Sequence, residues 1–184
     1  MFIEQIQRHL AVCGQLDLPT MAKLDPGFWN VISIREPARP RIQKRGFKQI
    51  HTVICYDADT QDVKYFEGTL GIPRREHIEG ILRFADTIAG EPLLVHCWAG
   101  VSRSTAVAMV LITREMYADG FSLKEIHHET PEIILAIRQQ AAPNPLILEL
   151  GLATFLPADE ARRLTVDWVN HPIMFANRMG GEPS

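Results

Sequence analysis

The chain is poor in the features that mark several broad protein classes. It has three cysteines, Cys13, Cys55 and Cys97, odd in number, far apart and without C-x-x-C spacing. A disulfide framework and a structural zinc site are therefore both disfavoured, and a reducing compartment fits best. It lacks an excess of positive charge: 19 Lys and Arg stand against 22 Asp and Glu, a formal net charge of -3. Nothing in that balance marks a nucleic-acid or membrane-surface protein, and any bound anion must be caught by local geometry. It also lacks a basic amino-terminal segment followed by an apolar run, and no window approaches the roughly 18 uninterrupted apolar residues of a membrane span. The reading is of a soluble, cytoplasmic protein without nucleic-acid or membrane partners. No internal repeat, low-complexity tract or interdomain linker is visible.

What is present suffices for one core. With 184 residues, 46% of them hydrophobic and 22% charged, the chain has an ordinary globular composition. Residues 1–13 carry no strong period. Residues 28–34 form a β-prone run between the turn signals Asp25-Pro26-Gly27 and Glu36-Pro37, and residues 50–56 read as a second buried strand ending at Asp57-Ala58-Asp59-Thr60. Between them, residues 38–46 place four basic residues among Gly and Pro breaks, a solvated loop or a basic rim facing an anionic substrate.

Ile78, Ile81, Leu82, Ala85 and Ile88 recur at spacings of three and four, which predicts an amphipathic helix over 75–89 closed by Gly90. An apolar strand over 92–96 and a helix over 104–117 follow. Strand, helix, strand implies a parallel pair joined by a right-handed crossover. The expected architecture is α/β, a central, mostly parallel sheet of four to five strands flanked by helices. Shorter helices are predicted over 122–128, 131–140 and 145–155, and residues 180–184 as a frayed tail.

The chemistry concentrates in Leu94-Val95-His96-Cys97-Trp98-Ala99-Gly100-Val101-Ser102-Arg103-Ser104. Five residues separate Cys97 from Arg103, between a predicted strand and a predicted helix. A strand-to-helix loop turns successive backbone N–H groups inward, and the helix dipole adds partial positive charge, so Trp98, Ala99, Gly100, Val101 and Ser102 form a cradle for an oxyanion. Gly100 permits a tight turn. Thiols at helix amino termini and beside cations ionise more readily than free cysteine, which suits Cys97 as a nucleophile. Arg103 offers a planar fork for two nonbridging oxygens.

This string resembles the C-x5-R signature of the cysteine-based protein tyrosine phosphatase superfamily, and most closely that of its compact dual-specificity-like members, especially small bacterial ones. Weaker similarity runs through Val31 to Arg35, the acidic loop, the helix near residues 77–85 and Ala142-Pro143-Asn144. The resemblance implies a phosphatase domain over residues 1–157, with 158–184 an extension packed on it or partly frayed. It further implies that Cys97 attacks phosphorus, Arg103 clamps the phosphoryl oxygens, Ser104 hydrogen-bonds the sulfur and His96 orients the loop behind it.

The resemblance also calls for an aspartic general acid on a separate loop upstream of the cysteine. Asp57 and Asp59, 40 and 38 positions before Cys97, both follow the second predicted strand, and Asp62 lies a little further on. Asp57 is preferred because Cys55-Tyr56-Asp57-Ala58 resembles the ending of related loops, yet spacing alone leaves the three open. Asn144, between two prolines, reads as a helix cap rather than a ligand, and Cys55 as a buried strand residue rather than a disulfide partner of Cys97. Trp98 and Val101 stand where some phosphoinositide phosphatases carry lysines, which argues against an inositide substrate.

The implied substrates are phosphorylated proteins or small phosphomonoesters, phosphotyrosine favoured and phosphoserine or phosphothreonine next, with neither metal nor cofactor. Two alternative readings use the same cradle: a phosphate-binding pseudophosphatase without turnover, and a rhodanese-like protein. The oligomeric state has no signal.

Overall fold

The run Leu10-Ala11-Val12-Cys13 is apolar on both faces, so it shows no alternation, which is what a strand covered on both sides requires. In the computed structural model, which describes residues 1–43, 45–59 and 71–180, that run is the middle of β2 (Arg8–Gly14), a strand inside the sheet. The lack of period over residues 1–13 thus hides a strand to which the sequence reading assigns no element. β1 (Phe2–Ile3) pairs with it antiparallel at the sheet edge. The other strands are β3 (Asn30–Arg35), β4 (Ile50–Ile54) and β5 (Leu93–Cys97). The sheet order is β1-β2-β5-β3-β4, and every pair except the first is parallel.

The predicted crossover pairing is also corrected. The helix between β4 and β5 carries the chain over β3, so the two strands are not neighbours but each flanks β3. All four parallel strands therefore end on one rim. Gly14, Arg35 and Cys97 are strand-terminal there, and Cys55 follows β4 directly. Open parallel sheets bind ligands along that carboxyl rim.

Side-chain alternation divides the core between the two faces. Ile32, Ile34, Leu93 and Val95 join a large cluster with α2 (Arg75–Thr87), α3 (Arg103–Ala118), α4 (Leu123–Ile137), α5 (Pro145–Leu152), α6 (Ala158–Val169) and α7 (Pro172–Arg178). Cys13, Val31 and Leu94 face a smaller cluster with Leu18 of α1 (Leu18–Leu24), Trp29 and Phe47. α3 is buried without interruption from Arg103 to Thr113, as a helix enclosed on all sides must be. Fully buried Arg8 staples strand to helices: its Nε donates to the Glu91 carbonyl at 2.7 Å, Nη2 to that of Ile88 at 2.6 Å and Nη1 to the Glu115 carboxylate at 2.6 Å.

The predicted break before Pro131 does not occur. α4 runs through it, replacing the two shorter helices expected over 122–128 and 131–140. Proline removes the N–H that would have bonded the His127 carbonyl one turn back, and the Trp168 indole N–H of α6 donates to that carbonyl at 3.0 Å instead. Trp168, Ala161, Leu164 and Met174 all belong to the main core. Residues 181–184, within the expected tail, lie outside the described residues. Among the described residues no helix is long and apolar enough to cross a membrane.

Candidate active site

The site sits where β5 ends at Cys97 and α3 begins at Arg103. The loop between them is fixed through its carbonyls, which are held from outside by four donors from two segments. The Gln15 N–H donates to the Trp98 carbonyl at 3.0 Å, Arg138 Nη2 to that of Ala99 at 3.1 Å, the Ala142 N–H to that of Val101 at 3.0 Å and the Asn144 N–H to that of Ser102 at 3.3 Å. In a trans peptide the N–H points opposite to the C=O, so carbonyls turned outward aim the following N–H groups at the concave side. The Gly100 N–H is there, donating to Cys97 Sγ at 3.3 Å.

Gly100 has a φ of 73°, and a Cβ on it would stand 2.3 Å from the Cys13 carbonyl carbon and 2.4 Å from the Gly14 nitrogen. Only glycine fits against that backbone. On the other side of the sulfur, Ser104 Oγ lies 3.2 Å from Cys97 Sγ, both groups buried.

Arg103 is 2% exposed. Its Nη1 donates to the Cys55 carbonyl at 2.8 Å and its Nη2 to Glu36 Oε1 at 3.2 Å. Its Nε is buried and has no hydrogen-bond acceptor among the described residues, and Asp57 Oδ2 lies 3.8 Å from it. Glu36 is placed by the preceding residue: Arg35 Nη1 donates to the carbonyls of Glu36, Pro37 and Arg39 and so folds residues 36–39 over the rim. Arg39 then lies with its guanidinium carbon 3.7 Å from the centroid of the Trp98 ring, and its Nε 3.5 Å from Glu36 Oε2.

The structure brings Asp57 to this group. Its Oδ1 accepts from Ser102 Oγ at 2.8 Å and from Asn144 Nδ2 at 2.9 Å, and Asn144 Nδ2 also donates to the Ala58 carbonyl at 3.0 Å. Asn144 meanwhile caps α5, its Oδ1 accepting from the Ile147 N–H at 2.9 Å. The cap expected there is present, and the same residue ties the acidic loop, through its side-chain amide, to the loop after Cys97, through its backbone N–H. Asp59 lies two residues on, half-buried, and Asp62 falls outside the described residues. The Ser102 hydroxyl is thus engaged by Asp57.

His96 is fully buried with Nδ1 3.4 Å from the Cys97 carbonyl oxygen, and burial lowers its pKa to about 4, so the ring is neutral at pH 7. Burial pushes the Cys13 and Cys55 thiols up to about 12. Both are free cysteines and protonated at neutral pH, so Cys55 remains the strand-end thiol that the sequence suggests.

Glu36, Arg35 and Arg138 were not legible as site residues. Glu36 looked like turn punctuation, because its partner lies 67 positions away. The Pro-Asn-Pro string did signal a cap, but nothing local announced a second use of the Asn144 amide.

No family model matches the chain. Over 136 residues, 68% of its length, the chain is 30% identical to dual specificity protein phosphatase 15 of Rattus norvegicus, and it spans about half of that relative, 53%. Among solved structures it is similar to OH1 from the Orf virus, a tyrosine phosphatase, at 17% identity and a TM-score of 0.50, covering 89% of this chain and 84% of that one, a likeness in fold. It also matches the crystal structure of DUSP15 at 25% identity and a TM-score of 0.47, covering 86% of this chain and 90% of that one. With the C-x5-R loop at the carboxyl rim of a mostly parallel sheet and a relative of that similarity, the chain belongs to the cysteine-based protein tyrosine phosphatase superfamily, on its dual-specificity-like side.

Proposed function

We propose that this protein is a cysteine-dependent phosphatase that hydrolyses phosphomonoesters, phosphotyrosine before phosphoserine or phosphothreonine, through a phosphocysteine intermediate. The observation that carries the reading is the meeting of three groups from three segments. Cys97 Sγ lies between the Gly100 N–H and Ser104 Oγ, the buried Arg103 Nε has no acceptor among the described residues, and Asp57 Oδ2 stands 3.8 Å from that nitrogen.

In the first step the sulfur attacks phosphorus, the bond from phosphorus to the ester oxygen breaks, and Asp57 gives its proton to the departing oxygen. Arg103 and the loop N–H groups hold the three nonbridging oxygens, whose charge is greatest in the transition state. In the second step water attacks phosphorus, its proton passes to the Asp57 carboxylate, the S–P bond breaks and inorganic phosphate leaves. Ser104 Oγ supports the sulfur as leaving group. Nothing in this sequence of bonds requires a metal.

The acid is tested with aryl phosphates of graded leaving-group pKa. Asp57→Asn should slow a poor leaving group by about 100-fold and a good one far less, since acid assistance is worth roughly 10²–10⁴ where the leaving group needs it. Asp59→Asn should behave like the parent. The opposite pattern moves the role to Asp59.

A further inference from the structure

Met174, Asn177 and Arg178 recur at spacings of three and four and so share one face of α7. Met174, fully buried, fixes that face against the main core. The two polar residues reach residues 138–144, the stretch between α4 and α5. Asn177 Nδ2 donates to the carbonyls of Gln139 at 2.8 Å and Ala141 at 3.0 Å, and Arg178 Nη2 to that of Pro143 at 2.6 Å. Two of these carbonyls belong to peptide groups whose other end holds the catalytic loop. The Ala141 C=O and the Ala142 N–H form one peptide, and that N–H donates to the Val101 carbonyl at 3.0 Å. The Pro143 C=O and the Asn144 N–H form another, and that N–H donates to the Ser102 carbonyl at 3.3 Å. Because C=O and N–H point in opposite directions across a trans peptide, each plane is gripped from both sides, by α7 and by the loop after Cys97.

We infer that Asn177 and Arg178 are positioning residues for the catalytic loop, acting through these two peptide groups, so that α7 sets the geometry in which Cys97 and the loop amides work. The consequence for turnover rests on the phosphatase reading. With its carbonyl end tied down, neither peptide can swing its N–H away from Val101 or Ser102 without breaking a second hydrogen bond. The bond from Arg178 is charge-assisted, and a carbonyl polarised by a cation makes the N–H of the same peptide a stronger donor, which tightens the hold on Ser102. Val101 and Ser102 directly precede Arg103, and the Ser102 hydroxyl engages Asp57. Asn144, in the gripped stretch, also donates its side-chain amide to Asp57. Slack in residues 138–144 therefore reaches both the guanidinium and the acid.

The test uses the full chain with Asn177→Leu and Arg178→Leu together, a pair that keeps helix propensity while removing the donors. Amide exchange followed by NMR under native conditions should show the Ala142 and Asn144 N–H groups exchanging about tenfold faster than in the parent. With para-nitrophenyl phosphate, kcat/KM should fall about tenfold as the loop loses its setting. Phe175→Gly, at an exposed position of the same helix, is the control, because it weakens α7 through backbone entropy and leaves both donors in place. It should lower the melting temperature yet keep kcat/KM and the exchange of those two amides at parent values. Should the double variant fail to fold, Asn177→Leu alone is read in the same way at Ala142. Parent-like exchange overturns the inference, as does parent-like kcat/KM in an active variant. So does an equal loss in Phe175→Gly, which would make α7 a packing element only. If parent and variants all release no phosphate, the phosphatase reading fails, and the exchange rates alone decide the positioning.

Discussion

His96 illustrates how a single side chain behind the loop contributes without touching substrate. It is fully buried on β5, with Ser33 and Cys13 as its register partners on β3 and β2, and desolvation holds its pKa near 4 against an ordinary 6.5. Between those values the unfolded chain binds a proton that the folded chain refuses. This part of the stability is therefore complete above pH 6.5 and is lost as the pH falls towards 4, by about 3 kcal/mol over the full interval. His96→Asn should flatten that segment of the stability curve, measured as the urea midpoint at a series of pH values. Parallel curves for parent and variant would show that the proton is taken up elsewhere. Arg103 is the contrasting case, a buried cation sustained by the Cys55 carbonyl and Glu36.

The loop between β5 and α3 derives its shape from elements distant in sequence. β2 supplies Gln15 beyond its end, the stretch after α4 supplies Arg138, Ala142 and Asn144, and β2 also presses its backbone against Gly100. Gly100→Ala should therefore lower kcat/KM by about 100-fold or more, because neither the Cys13–Gly14 backbone nor the loop can yield without moving the sulfur or the amides. Gly27→Ala is the matched control: its φ of 74° is almost the same, but nothing lies within 4 Å of the added carbon. It should bear the backbone strain alone and keep its turnover. Phosphate release by the two purified variants reads the comparison, and equal losses would show that strain, not the approach of β2, governs the loop.

Across the whole molecule, the elements that sequence made legible are those with a local signal. α2 shows the three-and-four spacing of Ile78, Ile81, Leu82 and Ala85, and β5 and α3 bracket a motif whose residue types are tied to its geometry. The edge of that legibility is also physical. β2 lacks alternation because both its faces are covered, and α4 continues through Pro131 because Trp168 serves the orphaned carbonyl from 41 positions away. In the same way the contact of Asp57 with the loop depends on Ser102 and on Asn144, 45 and 87 positions away in the chain. The account as a whole predicts that parent protein quenched in acid during turnover of para-nitrophenyl phosphate carries one phosphoryl group, mapped by mass spectrometry to Cys97, and that Cys97→Ser releases no phosphate. Phosphate release by Cys97→Ser at the parent rate, or a phosphoryl group on any other residue, would contradict it.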